Sequence, residues 1–228
     1  MQKGGKQMEN SHLMLFFCLT LPLSMMLFIF KGSARKNLGF LLTGIFMCLF
    51  AGQINGLVLS ETQLSLRFLT VNITPIVEET LKAIPIVFIA FLFKPDRQLL
   101  LESSIALGVG FATMENTCLL FDSSAGLTAE TIIARGLGAG MMHGISALAV
   151  GVSMTFAANE KKLSYTGTMA ALSAAIIYHS IYNIMVQSAY PLLGILLPII
   201  TFIPIIIAIN GRRHGYIKER RLTNEKNC

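Results

Sequence analysis

Residues 38–59 read LGFLLTGIFMCLFAGQINGLVL, a run that contains no charged side chain. An α-helix of roughly 20 apolar residues crosses the bilayer core of about 30 Å, so this run is long enough to span a membrane. Six further runs of similar character lie at about 13–30, 72–93, 102–121, 136–157, 164–187 and 191–210. The sequence therefore predicts an all-α, polytopic membrane helix bundle with about seven transmembrane helices, six or eight being the alternatives.

The composition of the whole chain supports this class. Of the 228 residues, 54% are hydrophobic and only 13% are charged, whereas a soluble domain carries about 25% charged residues. The connections between the predicted spans are too short to hold a soluble domain. We therefore expect one integral membrane domain over residues 1–228, with anchor helices at about 13–59, motif-bearing catalytic helices at about 72–187, and a last helix with a basic tail at 191–228.

Basic residues near the span ends predict the orientation, because they are retained on the cytoplasmic side. If the N-terminus lies outside, four of the eighteen Lys and Arg residues are outside, one is within a span, and thirteen are cytoplasmic: Lys31, Arg35, Lys36, Lys94, Arg97, Lys161, Lys162, Arg212, Arg213, Lys218, Arg220, Arg221 and Lys226. We expect an N-out, C-in protein whose basic C-terminal tail lies near anionic lipid, which agrees with the net charge of +6. Nucleic acid is not an expected partner, because no aromatic platform accompanies the basic residues.

A small set of ionisable side chains lies deep inside the apolar runs, and the amides of Asn116 and Asn183 accompany them. Each ionisable residue costs about 2.5–3.5 kcal/mol at mid-bilayer on insertion scales, and such residues are usually functional. All of them lie in the middle four helices, and they are Glu78, Glu79 and Lys82, then Glu115 and Asn116, then His143, and finally His179 and Asn183.

The positions of these side chains along their helices predict one polar layer. At 1.5 Å per residue, all four helices place them roughly 10 Å below the outer surface. Lys82 follows Glu79 by three residues and Glu78 by four, so its ammonium can reach either carboxylate. Small residues bordering the layer predict close backbone approach, namely Gly108, Gly110, Gly136, Gly140 and Gly144. Arg135, at a span end, is expected to be an interfacial anchor.

Three chemistries suit this layer. In the first, Glu78 or Glu79 is the general base that takes a proton from a water attacking a peptide carbonyl, and His179 with Asn183 stabilises the oxyanion. In the second, Glu and His side chains ligate zinc, although the local HExxH spacing is lacking. In the third, the layer is the proton or cation relay of an ion-coupled transporter.

Four motifs resemble those of the PrsW family of intramembrane proteases. They are Glu78-Glu79-Thr80-Leu81-Lys82, Phe111-Ala112-Thr113-Met114-Glu115-Asn116, His143 eight residues before Gly151, and His179-Ser180-Ile181-Tyr182-Asn183. The related CAAX prenyl endopeptidases have an Arg four residues after the second Glu, and a Phe-xxx-His motif. Here Ala83 and Phe111-xxx-Glu115 occupy those positions, which favours PrsW over prenyl-protein processing.

The resemblance implies a hydrolase in the plasma membrane of a prokaryote. It would cut a membrane-anchored protein, such as an anti-sigma-factor-like regulator, near the extracytoplasmic face. On this chain it implies a general base at Glu78 or Glu79 near Lys82, water positioning by Glu115 and His143, and oxyanion stabilisation by His179 and Asn183. Such enzymes have been described both as glutamic proteases, which need no cofactor, and as metalloproteases. Zinc ligands here would come from Glu78, Glu79, Glu115, His143 and His179.

Overall fold

A computed structural model describes the backbone of residues 2–122, 129–157, 161–188 and 192–205, and the side chains of 16–121, 135–155, 165–188 and 192–205. Within these ranges there is no β-strand, so the all-α prediction is confirmed. The helices are α1 (Gln2–Ile29), α2 (Gly32–Glu61), α3 (Leu66–Phe68), α4 (Thr74–Phe93), α5 (Arg97–Asp122), α6 (Ala129–Ala157), α7 (Lys161–Val186) and α8 (Leu192–Ile205). The predicted basic tail at 206–228 lies outside the described residues.

Four of the helices are long and apolar enough to cross a membrane, and they are α2, α5, α6 and α7. Two shorter apolar helices, Phe16–Ile29 and Leu192–Ile205, occupy the first and last predicted spans. The third predicted span corresponds to α4, whose 20 residues include Glu78, Glu79 and Lys82. Its three charged residues, and not a lack of apolar ones, separate it from the other four, and the count of seven spans stays a prediction.

Helix α5 packs between α2 and α6, and α7 packs against α6. Helix α4 contacts four other helices, α2, α5, α6 and α7. Apolar side chains from α2, α4 and α5 form a core around Ile45, Leu81 and Phe111. Large apolar side chains such as Phe88 and Leu192 are exposed on the outside. A bundle with apolar groups both inside and outside suits lipid as its solvent.

Glycines on α5 allow the close approach that the sequence predicts. A Cβ atom on Gly108 would collide with the carbonyl oxygen of His143 on α6, and one on Gly110 would collide with the carbonyl oxygen of Leu41 on α2. On α6 the prediction is confirmed for Gly144, whose Cα atom would lie 2.9 Å from a Cβ atom on Gly108, and it is wrong for Gly136 and Gly140. A Cβ atom on Gly136 or Gly140 would meet no described atom within 4 Å, because the neighbouring helices pack against other faces of α6.

A π-helical segment, Leu69–Ile73, connects α3 to α4. The Thr74 N–H at its end donates to the carbonyl of Leu69, five residues earlier. Pro75 follows in the first turn of α4, where its fixed φ suits helix initiation. Such segments are uncommon and frequently lie at functional sites.

Candidate active site

Helix α4 supplies three charged side chains to the interior of the bundle. Glu78 is 6% exposed, and Glu79 and Lys82 are 1% exposed. Lys82 Nζ lies 2.7 Å from Glu79 Oε1 and 4.8 Å from the centroid of the Phe111 ring. The sequence left open which carboxylate Lys82 contacts, and in the structure it is Glu79.

Helix α6 contributes His143, whose two ring nitrogens are both engaged. Its Nδ1 atom lies 2.6 Å from Lys82 Nζ, and its Nε2 atom lies 2.6 Å from Glu115 Oε2 on α5. Because an ammonium can only donate, we assign Nδ1 as the acceptor and Nε2 as the donor to Glu115. His143 is then neutral and joins α4 to α5.

Helix α7 contributes His179, which contacts both glutamates of α4. Its Nδ1 atom lies 2.7 Å from Glu79 Oε1, so we assign the ring proton to Nδ1, which donates to the carboxylate. The other nitrogen, Nε2, lies 3.9 Å from Glu78 Oε2. No described residue makes a hydrogen bond to that Glu78 oxygen.

The six side chains Glu78, Glu79, Lys82, Glu115, His143 and His179, called here the Glu/His cluster, thus lie together. Glu79 pairs with Lys82, and Glu115 lies 3.6 Å from the guanidinium of Arg135. Glu78 has no Lys or Arg partner in the described part of the chain. It is therefore the carboxylate of the cluster that has room for a proton, a water or a cation.

Two polar residues of the predicted layer lie outside the Glu/His cluster. The Asn183 amide donates to the backbone carbonyl of Thr70 at 2.8 Å. The Asn116 amide donates to the backbone carbonyl of Arg135 at 3.5 Å. In the structure both amides therefore satisfy backbone groups.

Arg135 and Gln187 make contacts that the sequence did not predict. Arg135 was expected to anchor the interface, but its side chain is 32% exposed and faces Glu115. Gln187 donates to the hydroxyl of Thr70 at 3.1 Å. Its spacing could have indicated this, because Gln187 follows Asn183 by four residues and so lies on the same helix face.

A metal ion would find ligands in part of the cluster. Donor atoms of Glu78, His143 and His179 lie within 4.8 Å of one another. Glu78 Oε2 and His179 Nε2 are free to ligate, and the bond from His179 Nδ1 to Glu79 is the support that metal-binding histidines usually have. His143 could ligate only after releasing Lys82 or Glu115. The residues thus fit zinc. Glu78 and His179 each have a free donor atom, and both nitrogens of His143 are already bonded.

Together, the apolar helices and the buried Glu/His cluster define a polytopic membrane protein with a polar site in its interior. The PrsW family of intramembrane metalloproteases matches residues 33–209, and the chain belongs to this family. Neither the curated proteins nor the solved structures give a match. The predicted membership of the PrsW family is thereby confirmed, and the chain is a multi-pass membrane peptidase that acts on membrane-embedded substrates.

Proposed function

We propose that the chain hydrolyses a peptide bond of a membrane-anchored protein and that Glu78 accepts the proton of the attacking water. The observation that supports this most directly is the gap between Glu78 Oε2 and His179 Nε2, 3.9 Å across. When Glu78 is a carboxylate, its Oε2 atom can only accept, and Nε2 of His179 carries no hydrogen in the tautomer assigned above. A water molecule can donate one hydrogen to each atom and so connect them.

The reaction begins when the water oxygen attacks the carbonyl carbon of the substrate. The O–H bond directed at Glu78 breaks, and the proton moves to Oε2 as the C–O bond forms. In the second step Glu78 returns this proton to the amide nitrogen as the C–N bond breaks. Glu78 ends as a carboxylate, which is the usual behaviour of a general base that then acts as a general acid.

Glu79 has a supporting role in this mechanism. Its Oε1 atom accepts hydrogen bonds from Lys82 and His179 at 2.7 Å each, so it is already occupied. By accepting from Nδ1 of His179, it leaves Nε2 of that ring free to accept from the water. Glu79 thus fixes the orientation of His179.

Lys82 supplies the fixed positive charge of the Glu/His cluster. A preorganised positive charge in a dry site stabilises the negative charge that develops on the substrate oxygen. His143 and Glu115 hold the ammonium in place through the two contacts of 2.6 Å. Because the Asn183 amide is engaged by Thr70, Lys82 is better placed than Asn183 for this role.

The second candidate is a zinc-dependent peptidase that uses the same cluster. It is favoured by the family description and by the proximity of Glu78, His143 and His179. Zinc bound by these three residues would supply Lewis-acid activation of water. We favour the glutamic mechanism because His143 would have to break one of its two contacts before it could ligate.

The proposed topology has seven spans in one membrane domain over residues 1–228, with the N-terminus outside and the cluster in the middle four helices. The distribution of Lys and Arg supports this orientation. Cleavage would then occur near the extracytoplasmic face of a prokaryotic plasma membrane. A membrane-anchored regulator of the anti-sigma-factor type is the proposed substrate class.

The proposal is tested by mapping new protein N-termini by mass spectrometry in membranes that contain the wild type or Glu78→Gln. We expect cleavage products that depend on Glu78. The matched control is Glu61→Gln, at an exposed position at the end of α2, which should give the wild-type products. Identical products from the wild type and Glu78→Gln would contradict the proposal.

A further inference from the structure

Three polar side chains lie along one face of α7. They contact α4, which carries the two glutamates, and the π-helical segment that precedes it. His179, Asn183 and Gln187 follow one another at intervals of four residues, so they share a face. His179 contacts Glu79 at 2.7 Å. The next two contact Thr70, with the Asn183 amide at 2.8 Å from its carbonyl oxygen and the Gln187 amide at 3.1 Å from its hydroxyl.

The Thr70 carbonyl needs this side-chain donor because of its position in the backbone. In an α-helix it would accept from the N–H of Thr74, but that N–H donates to Leu69 in the π-helical register. The next donor in this register is residue 75, and Pro75 has no N–H. The backbone thus leaves the Thr70 carbonyl without its usual donor.

An unsatisfied carbonyl is costly in an apolar surrounding, where each such group costs several kcal/mol. The amide of Asn183 removes this cost and ties α7 to the π-helical segment. The register of that segment matters for the site. One residue more or less in a turn rotates everything after it by about 100°, and Glu78 and Glu79 follow within two turns.

We propose that Asn183 is a positioning residue, which completes the π-helical turn that Pro75 leaves open and so holds Glu78 and Glu79 against His179. This inference rests on the peptidase function proposed above. It replaces the oxyanion role that the resemblance implies for Asn183, because the amide nitrogen is bonded to the Thr70 carbonyl at 2.8 Å and lies outside the Glu/His cluster. Asn183 acts through the backbone of the segment before α4.

A double-mutant cycle with Pro75 separates the two roles. Pro75→Ala restores an N–H that can donate to Thr70, so it should compensate for Asn183→Ala. With a purified membrane-anchored substrate identified by the N-terminus mapping above, we expect Asn183→Ala to lower kcat about 100-fold with little change in KM, as a displacement of about 1 Å can do. The kcat of the double variant should be at least about 10-fold higher than that of Asn183→Ala alone. Gln187→Ala is the matched control, with a change below about 2-fold.

An oxyanion donor would behave differently, because a backbone N–H at residue 75 cannot replace a contact to the substrate. Independent effects of Pro75→Ala and Asn183→Ala on kcat would therefore overturn the proposal. If Asn183→Ala does not fold, recovery of folded protein by Pro75→Ala supports the proposal, and failure to recover it overturns the proposal.

The same cycle is measured by thermal unfolding in detergent, which requires no substrate. Asn183→Ala should lower Tm, and Pro75→Ala should restore much of the loss. If the wild type cleaves nothing but Tm shows this compensation, the peptidase proposal fails while the backbone contact stands. Additive effects on Tm would overturn the contact itself.

Discussion

The Nε2 atom of His179 faces the Oε2 atom of Glu78 across 3.9 Å, and the other nitrogen of the same ring donates to Glu79. The two ring nitrogens of one histidine thus face two neighbouring carboxylates, which have different hydrogen-bond partners. Glu79 is held by two donors, whereas Glu78 Oε2 has no hydrogen-bond partner in the described ranges. This difference supports Glu78 as the proton acceptor.

Replacement of Lys82 by Met should destabilise the protein strongly. Lys82 is 1% exposed, and its loss leaves the Glu79 carboxylate buried with no cation beside it. Removing one partner of a buried pair typically costs about 3–5 kcal/mol, so Tm in detergent should fall clearly. Lys36→Met, at an exposed position on α2, is the control. A Lys82→Met protein as stable as the control would show that the contact to Glu79 contributes little.

Removal of metal should leave activity intact in the glutamic mechanism. His143 would be the third zinc ligand, but both of its ring nitrogens are already engaged by contacts of 2.6 Å each. Purified protein treated with a chelator should retain its rate of cleavage of the membrane-anchored substrate, and metal analysis should show no stoichiometric zinc. Loss of activity that zinc restores, together with one zinc per chain lost in His179→Ala, would establish the metal-dependent candidate instead.

Gly108→Ala should disturb the site from a distance, because its new Cβ atom would collide with the backbone carbonyl of His143. We expect lower stability and lower activity, since α6 must move away from α5. Gly140→Ala on α6 is the control. No described atom lies within 4 Å of its added Cβ, so replacing this helical glycine should stabilise by about 0.5–1 kcal/mol. Equal effects of the two variants would contradict the close packing of α5 on α6.

Tyr182→Phe should leave stability unchanged or raise it. Tyr182 is 2% exposed, and its hydroxyl has no hydrogen-bond partner among the described side and main chains. A buried unsatisfied polar group costs about 1–3 kcal/mol, which the variant would recover. Tyr178→Phe is the matched comparison, because its hydroxyl lies 2.6 Å from Thr201 Oγ1, and it should lower stability. A Tm of Tyr182→Phe below that of Tyr178→Phe would contradict the conclusion that the Tyr182 hydroxyl is unsatisfied and the Tyr178 hydroxyl is bonded.

Much of the candidate site could be predicted from the sequence. Charged groups are so costly in lipid that their positions along the spans indicated the grouping of Glu78, Glu79, Lys82, Glu115, His143 and His179. The spacing of Lys82 indicated a contact to a glutamate. It could not indicate which one, because both i+3 and i+4 pairs are close on a helix.

Other features depend on packing and could not be predicted from spacing. The π-helical segment before α4 depends on a register shift that no local motif marks. Gly136 and Gly140 have the same spacing as Gly144, but only Gly144 lies where α5 approaches, because the face that meets another helix depends on how α6 is rotated in the bundle. Arg135 looked like an anchor at a span end, and only the fold places its guanidinium beside Glu115.

The most direct test of the proposed mechanism compares Glu78→Gln with Glu79→Gln in the same purified preparation. Glu78→Gln should lower kcat by about 10²–10⁴-fold, as expected for loss of a general base, with Tm equal to or above that of the wild type. Glu79→Gln should lower Tm as well as kcat, because it weakens the contacts to Lys82 and His179. A Glu78→Gln protein that keeps the wild-type kcat would contradict the assignment of Glu78 as the proton acceptor.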